Sequence, residues 1–156
     1  MIPILSPFTG RVVPLEEVPD HVFAERMLGE GIAVEPDEGI ALAPLKGRLV
    51  VFHSAGHAFA IEGQDGLKVL VHIGLDTVHL RGEGFVQLAQ EGDWVEAGQP
   101  IARFDMERIR AAGFSLVSPV IMPELPKGCQ VFPTEAHTVR AGQDSLLYVV
   151  REEGRT

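Results

Sequence analysis

Short runs of Val, Ile and Leu follow one another along this chain, and Gly or Pro interrupts them at intervals of about 8–12 residues. That is the rhythm of an all-β sandwich or barrel. The pattern predicts strands over 10–15, 31–35, 40–43, 48–53, 57–62, 67–73, 78–80, 100–104, 115–121, 129–132 and 146–151. Helical signals are few. Asp20 can cap a short helix over 21–28 that stops at Gly29, and Asp105 can cap another over 106–112 that stops at Gly113. "GFVQLAQEGD" reads as a single turn. The sum is an all-β, antiparallel sandwich or barrel with a few short helical turns.

The segments "SPFTGRVV" (6–13) and "APLKGRLV" (43–50) share a small residue, Pro, Gly, Arg and a β run, and a third "SPVI" stands at 118–121. Taken as a repeat, they suggest a duplicated β unit closing on itself. No linker or low-complexity stretch divides the chain, so its 156 residues form one domain, 1–156.

Composition narrows the function classes. Hydrophobic residues make up 46% and charged residues 22%, the balance of a globular domain. No apolar stretch is long enough to cross a bilayer, and "MIPILSPFTG" has neither the basic start nor the apolar body of an export signal. The lone Cys129 precludes an intrachain disulfide and fits a reducing, cytoplasmic setting. A net charge of -9 argues against nucleic acid and is compatible with a basic protein partner.

Within this apolar frame, two histidines stand inside hydrophobic runs: His57 in "GHAFAIEG" and His72 in "VLVHIGLDTVHLRGEGF". A hairpin around "GQDG" (63–66) with a two- or four-residue loop makes Glu62 face Leu67, Ile61 face Lys68, and His57 face His72. Directly opposed residues share a face, with Cβ atoms about 4.5–5.5 Å apart. A three-residue loop with Gly66 left-handed shifts the register by one and breaks that opposition. Gly74 leaves room above His72, and Phe59 and Leu70 supply apolar flanks. Two neutral rings so placed depress each other's pKa, which keeps an unprotonated, nucleophilic nitrogen available near neutral pH.

Zinc hydrolysis needs a third ligand, such as Asp76. The His-x-x-x-Asp and His-x-His signatures of lysostaphin-like metallopeptidases are absent, because Ile61 and Leu70 occupy the diagnostic positions. "EGDWVEAGQPIARFD" (91–105) has the flavour of biotinyl and lipoyl carriers, yet none of Lys46, Lys68 and Lys127 sits in a Met-Lys-Met-like turn. Phosphoryl transfer through a phosphohistidine asks only for two imidazoles, small residues for access and an apolar rim for partners. The sequence supplies all three.

The residues that carry this reading also carry a resemblance. "VPDHVFAERMLGEGIAVEP" (18–36), "APLKG" (43–47), "GHAFAIE" (56–62), "VLVHIGLDTVHLRGEGF" (69–85) and "EGDWVEAGQPIARFD" resemble the glucose-type enzyme IIA family of the bacterial phosphoenolpyruvate:sugar phosphotransferase system, from about Ile4 to Val150. The resemblance implies a β-sandwich of the duplicated hybrid motif type and a cytoplasmic phosphocarrier. It implies that His72 accepts a phosphoryl group from phospho-HPr and passes it to a cysteine of a IIB domain, with His57 as the supporting histidine. It places Asp20 and Asp76 as carboxylates framing the site, and Phe23, Met27, Leu28, Phe59 and Val78 on an apolar docking rim. It implies no required cofactor and no resident metal, nucleic acid or membrane insertion. A regulatory protein-binding module, with zinc between His57 and His72 only in a partner complex, is the alternative role. The sequence departs from the family at Ala55, where a threonine is usual, at His53, a usually apolar rim position, and near Pro123 and Glu124, where an asparagine is customary.

Overall fold

A computed structural model of the chain describes residues 1–152; residues 153–156 of the expected domain lie outside the described residues. The strands are β1 (Ile2–Leu5), β2 (Gly10–Val13), β3 (Glu30–Pro36), β4 (Ile40–Leu42), β5 (Gly47–Phe52), β6 (Ala58–Glu62) and β7 (Lys68–His72). They continue with β8 (Phe85–Gln87), β9 (Trp94–Val95), β10 (Pro100–Phe104), β11 (Ser118–Met122), β12 (Cys129–Pro133), β13 (Thr138–Val139) and β14 (Ser145–Arg151). The α-helices are α1 (His21–Ala24) and α2 (Met106–Ala111), capped by Asp20 and Asp105 as the sequence predicts.

All pairings are antiparallel. Two three-stranded sheets, β1-β14-β12 and β4-β10-β8, accompany an eight-stranded sheet in the order β13-β2-β3-β11-β7-β6-β5-β9. That large sheet is open, with β13 and β9 at its edges, so of the two expected forms the sandwich is the one adopted. Counted outward from the central β11–β7 pair, each half holds an antiparallel pair, β3–β2 or β6–β5, and a two-residue edge strand. The sequence echo falls on this symmetry. Gly10 and Gly47 open matching strands, and a Cβ at either would sit 2.1 or 2.2 Å from the carbonyl oxygen of Glu35 or Glu62. Only glycine permits so close an approach of partner backbones.

The main core draws from all three sheets, with Ile4, Leu49, Phe59, Val71, Ile101 and Leu147 wholly buried. The connection between β2 and β3 crosses the opposite face of the large sheet and seals a smaller core around Leu15, Phe23, Ala33, Leu75 and Ile121. Both faces of the sheet are covered at β11, which is buried along its whole length and apolar after Ser118. His72 lies at the margin of this smaller core.

Several expected elements differ. Residues 78–80 are not a strand; Thr77–Leu80 is a 3₁₀ turn between two left-handed residues, Asp76 (φ 60°) and Arg81 (φ 52°). The "GFVQLAQEGD" segment includes a strand, β8, whose pairing with β10 supplies order that its local sequence does not announce. Helix α1 ends at Ala24 rather than residue 28, because Arg26 adopts φ 58° and turns the chain before Gly29. The β1, β9 and β13 strands, two to four residues each, carry too little alternation to be read from sequence.

Candidate functional site

The β6–β7 hairpin takes the three-residue turn. Gln64–Gly66 forms a single 3₁₀ turn with Gly66 at φ +76°, and the ladder pairs Glu62 with Lys68, Ile61 with Val69, Phe59 with Val71 and Ala58 with His72. The direct opposition of His57 and His72 is therefore not the arrangement adopted. His57 instead faces Ile73, whose N–H donates to the His57 carbonyl at 2.7 Å. His57 precedes β6 at a bend, where strand alternation no longer dictates side-chain direction. Its ring comes across to His72 all the same, with centroids 5.2 Å apart and planes at 76°. The structure brings the two imidazoles together edge to face, with no hydrogen bond between them among the described residues.

His72 is half-buried, and its environment fixes its tautomer. Nδ1 lies 2.6 Å from the Gly74 carbonyl oxygen. A carbonyl only accepts, so in the neutral ring Nδ1 carries the proton and Nε2 keeps a free lone pair. The Phe23 ring packs against His72 with centroids 5.4 Å apart. Burial holds the His72 pKa below its ordinary value, opposed by the Gly74 hydrogen bond and by the charges of Asp20 and Asp76, which favour the cation. Asp20 is positioned as the cap of α1, accepting from the Val22 N–H at 2.9 Å. Asp76 is exposed, at the left-handed residue that opens the 3₁₀ turn.

His57 is only 4% exposed, and its Nδ1 is buried without a hydrogen-bond partner. Burial, then the neighbouring His72 and His53 rings, push its pKa down to about 4. The ring is neutral at physiological pH. The expected depression of both histidines is thus present, with burial rather than mutual repulsion as the larger cause.

Gly74 does not act as empty space above the ring. It has φ +72°, and a Cβ there would meet Thr77 Cγ2 at 2.7 Å and the Ser115 carbonyl oxygen at 2.8 Å. Its contribution is the carbonyl that holds Nδ1. The expected rim also divides. Met27, Leu28 and Val78 are 66%, 43% and 41% exposed, apolar side chains left open to solvent. Phe23 is buried in the smaller core, presenting its ring to His72. Phe59 lies on the other face of the sheet, wholly buried and packed on Phe52, and cannot meet a partner. Alternation explains the correction: Phe59 pairs with core-facing Val71, whereas His72 pairs with Ala58.

Sequence reasoning gave His53 only a rim position, yet its ring lies against His57, with centroids 4.4 Å apart and planes tilted by 58°. Two histidines flanking Gly56 in "HSAGH" were the available signal. The buried hydroxyls of Thr77 and Ser118, which tie down the segment after His72, were also missed. Among the described residues, no group of three or more His, Cys, Asp or Glu is placed to hold a metal ion, and no helix is long and apolar enough to cross a membrane.

Residues 2–127 match the family model described as phosphoenolpyruvate-dependent sugar phosphotransferase system, EIIA 1. The chain belongs to this family. It is similar to the glucose-specific EIIA component of Oceanobacillus iheyensis, with 38% identity over 149 residues that cover 96% of this chain and 90% of the relative. It is 45% identical over 146 residues to the N-acetylglucosamine-specific EIICBA component of Klebsiella pneumoniae, covering 94% of this chain and 22% of that longer protein. Among solved structures it resembles glucose permease IIA from Mycoplasma capricolum, with a TM-score of 0.88, 34% identity and 94% of both chains covered. The EIIA fold and the phosphotransfer class of the chain follow from this membership.

Proposed function

We propose that this EIIA chain is the cytoplasmic phosphocarrier that takes a phosphoryl group from phospho-HPr onto His72 Nε2 and delivers it to a cysteine of a IIB domain. The observation that carries the assignment to an atom is the 2.6 Å contact between His72 Nδ1 and the Gly74 carbonyl, which leaves Nε2 as the free nucleophile. In the first step the Nε2 lone pair attacks phosphorus, and the N–P bond of the donor phosphohistidine breaks. The donor imidazole leaves with the electron pair. In the second step a IIB thiolate attacks, and the bond from phosphorus to Nε2 breaks.

With Nδ1 still protonated, the phosphorylated His72 ring carries positive charge. The Gly74 carbonyl and the carboxylates of Asp20 and Asp76 stabilise that charge, and a cationic ring is the better leaving group for onward transfer. His57 is kept neutral by burial and offers a ring N–H toward the phosphoryl oxygens without a competing cation. No cofactor enters either step. The apolar surface of Met27, Leu28 and Val78 gives partners a docking face, and the net charge of -9 favours basic ones.

Incubation with phosphoenolpyruvate, enzyme I and HPr tests the reading. Acid-labile phosphate is expected on His72 Nε2, none on a His72→Gln variant, and on His57→Gln a label that IIB does not discharge. Normal labelling of His72→Gln, or an unlabelled native chain, refutes the relay.

A further inference from the structure

The phospho-acceptor owes its free Nε2 to one carbonyl, so whatever holds that carbonyl sets the chemistry. Gly74 is buried just beyond the end of β7, and each of its polar groups has a single partner. Its N–H donates to Ser118 Oγ at 2.9 Å, and Ser118 Oγ donates in turn to the Leu116 carbonyl at 2.8 Å. The direction of this chain is forced. A peptide N–H only donates and a carbonyl only accepts, so the hydroxyl must accept from Gly74 and spend its proton on Leu116. Ser118 is wholly buried, so water does not replace it. The neighbouring peptides are anchored as well: Leu75 N–H donates to the Ser115 carbonyl at 3.1 Å, and Thr77 Oγ1 donates to the Ile73 carbonyl at 2.5 Å.

We infer that Ser118 is a positioning residue for phosphoryl transfer: it fixes Gly74 so that the Gly74 carbonyl keeps the proton on His72 Nδ1 and the lone pair on Nε2. This rests on the relay reading above and adds a residue 44 positions away from Gly74 in sequence. Ser118 touches no phosphoryl group; it acts through Gly74. Its removal strands the Gly74 N–H in a buried site, and the left-handed residue that carries the acceptor is then free to shift. A misplacement of about 1 Å costs on the order of a hundredfold in rate at a positioned nucleophile.

The test compares native protein with Ser118→Ala by two readouts. The first is the ¹⁵N spectrum of the unphosphorylated His72 ring, which distinguishes a proton on Nδ1 from one on Nε2. The second is the single-turnover rate of labelling by phospho-HPr. Expected in Ser118→Ala are a mixed tautomer population at His72 and labelling slowed by about tenfold to a hundredfold. Should Ser118→Ala not fold, Ser118→Cys, with a thiol that accepts only weakly, is expected to move both readouts in the same direction by less. A folded variant whose tautomer and rate match the native protein overturns the inference. Failure of the native chain to label at all refutes the relay instead, and the tautomer comparison still decides the role of Ser118.

Discussion

Lowering the pH from 7.5 to 4.5 asks His57 to take up a proton in a site built to refuse it. The unfolded ring protonates near its ordinary value of 6.5, whereas the folded ring, 4% exposed and facing His72 and His53, protonates only at about 4. Between those values the unfolded state binds a proton that the folded state does not, so stability falls as the pH falls through the interval. Above 6.5 both states are neutral at this ring and the effect vanishes. Each pH unit inside the interval costs at most about 1.4 kcal/mol, which sums to a loss of about 3 kcal/mol for the site. A domain of this kind holds only about 5–15 kcal/mol in all. His72 also has a lowered pKa and adds loss in the same direction, but His57 is not among the causes of that shift. Glu16 and Asp144 have lowered pKa values as well, and their stabilisation goes as the pH drops through their folded values. A His57→Gln variant keeps all three contributions and removes only its own. Urea unfolding of both proteins by circular dichroism, at steps from pH 7.5 to 4.5, should show the native protein losing about 3 kcal/mol relative to the variant. An NMR titration should place the His57 midpoint near 4. A midpoint at or above 6, or a difference between the two proteins that stays constant with pH, refutes the account of His57 as a ring held neutral by burial.

Two substitutions probe the frame around His72. Gly74→Ala places a Cβ at φ +72°, 2.7 Å from Thr77 Cγ2 and 2.8 Å from the Ser115 carbonyl oxygen; a loss of about 1–3 kcal/mol in urea unfolding and impaired labelling of His72 are expected. Asp20→Ala removes the cap of α1 and a charge that favours the His72 cation. Unfolding should show a cost of about 0.5–2 kcal/mol, and an NMR titration should show the His72 pKa falling further; a rise contradicts the role given to Asp20.

The hairpin that presents His72 shows how much of the fold its sequence contained. With a two- or four-residue loop, core residue Ile61 must face Lys68. With the three-residue turn, Ile61 meets Val69 and Phe59 meets Val71, all of them wholly buried on one face. Matching apolar faces across the strands selects the second register, since a slip of one residue sends every side chain to the wrong side. That criterion was legible in the composition of the two strands, and it also removes Phe59 from the docking rim. The longer strands were legible as Val, Ile and Leu runs set off by Gly and Pro. The short edge strands β9 and β13 and the β8 strand were not, because their order comes from partners distant in the chain.

The histidine pair survived a wrong register because both rings stand where the ladder ends. His72 is the last residue of β7, and His57 sits at the bend before β6. Past the end of a strand, side-chain direction is set by the turn, and the Gly56 turn (φ +88°) gives the chain the freedom to swing His57 across. The proximity was therefore readable from closeness in the hairpin alone, while its chemistry was not. What leaves Nε2 with its free lone pair is a carbonyl at Gly74, and backbone acceptors leave no mark on a sequence pattern. What holds that carbonyl is a serine at the start of β11, the strand that pairs with β7 at Val120–Val71 and Ile121–Leu70. The SPVI echo marked this stretch only as a possible repeat of a β unit, and only the β7–β11 pairing brings the Ser118 hydroxyl to the Gly74 N–H beside His72. The site is thus assembled where the two halves of the large sheet meet: one half brings the imidazoles, and the other supplies the hydroxyl that bonds the Gly74 peptide beside one of them.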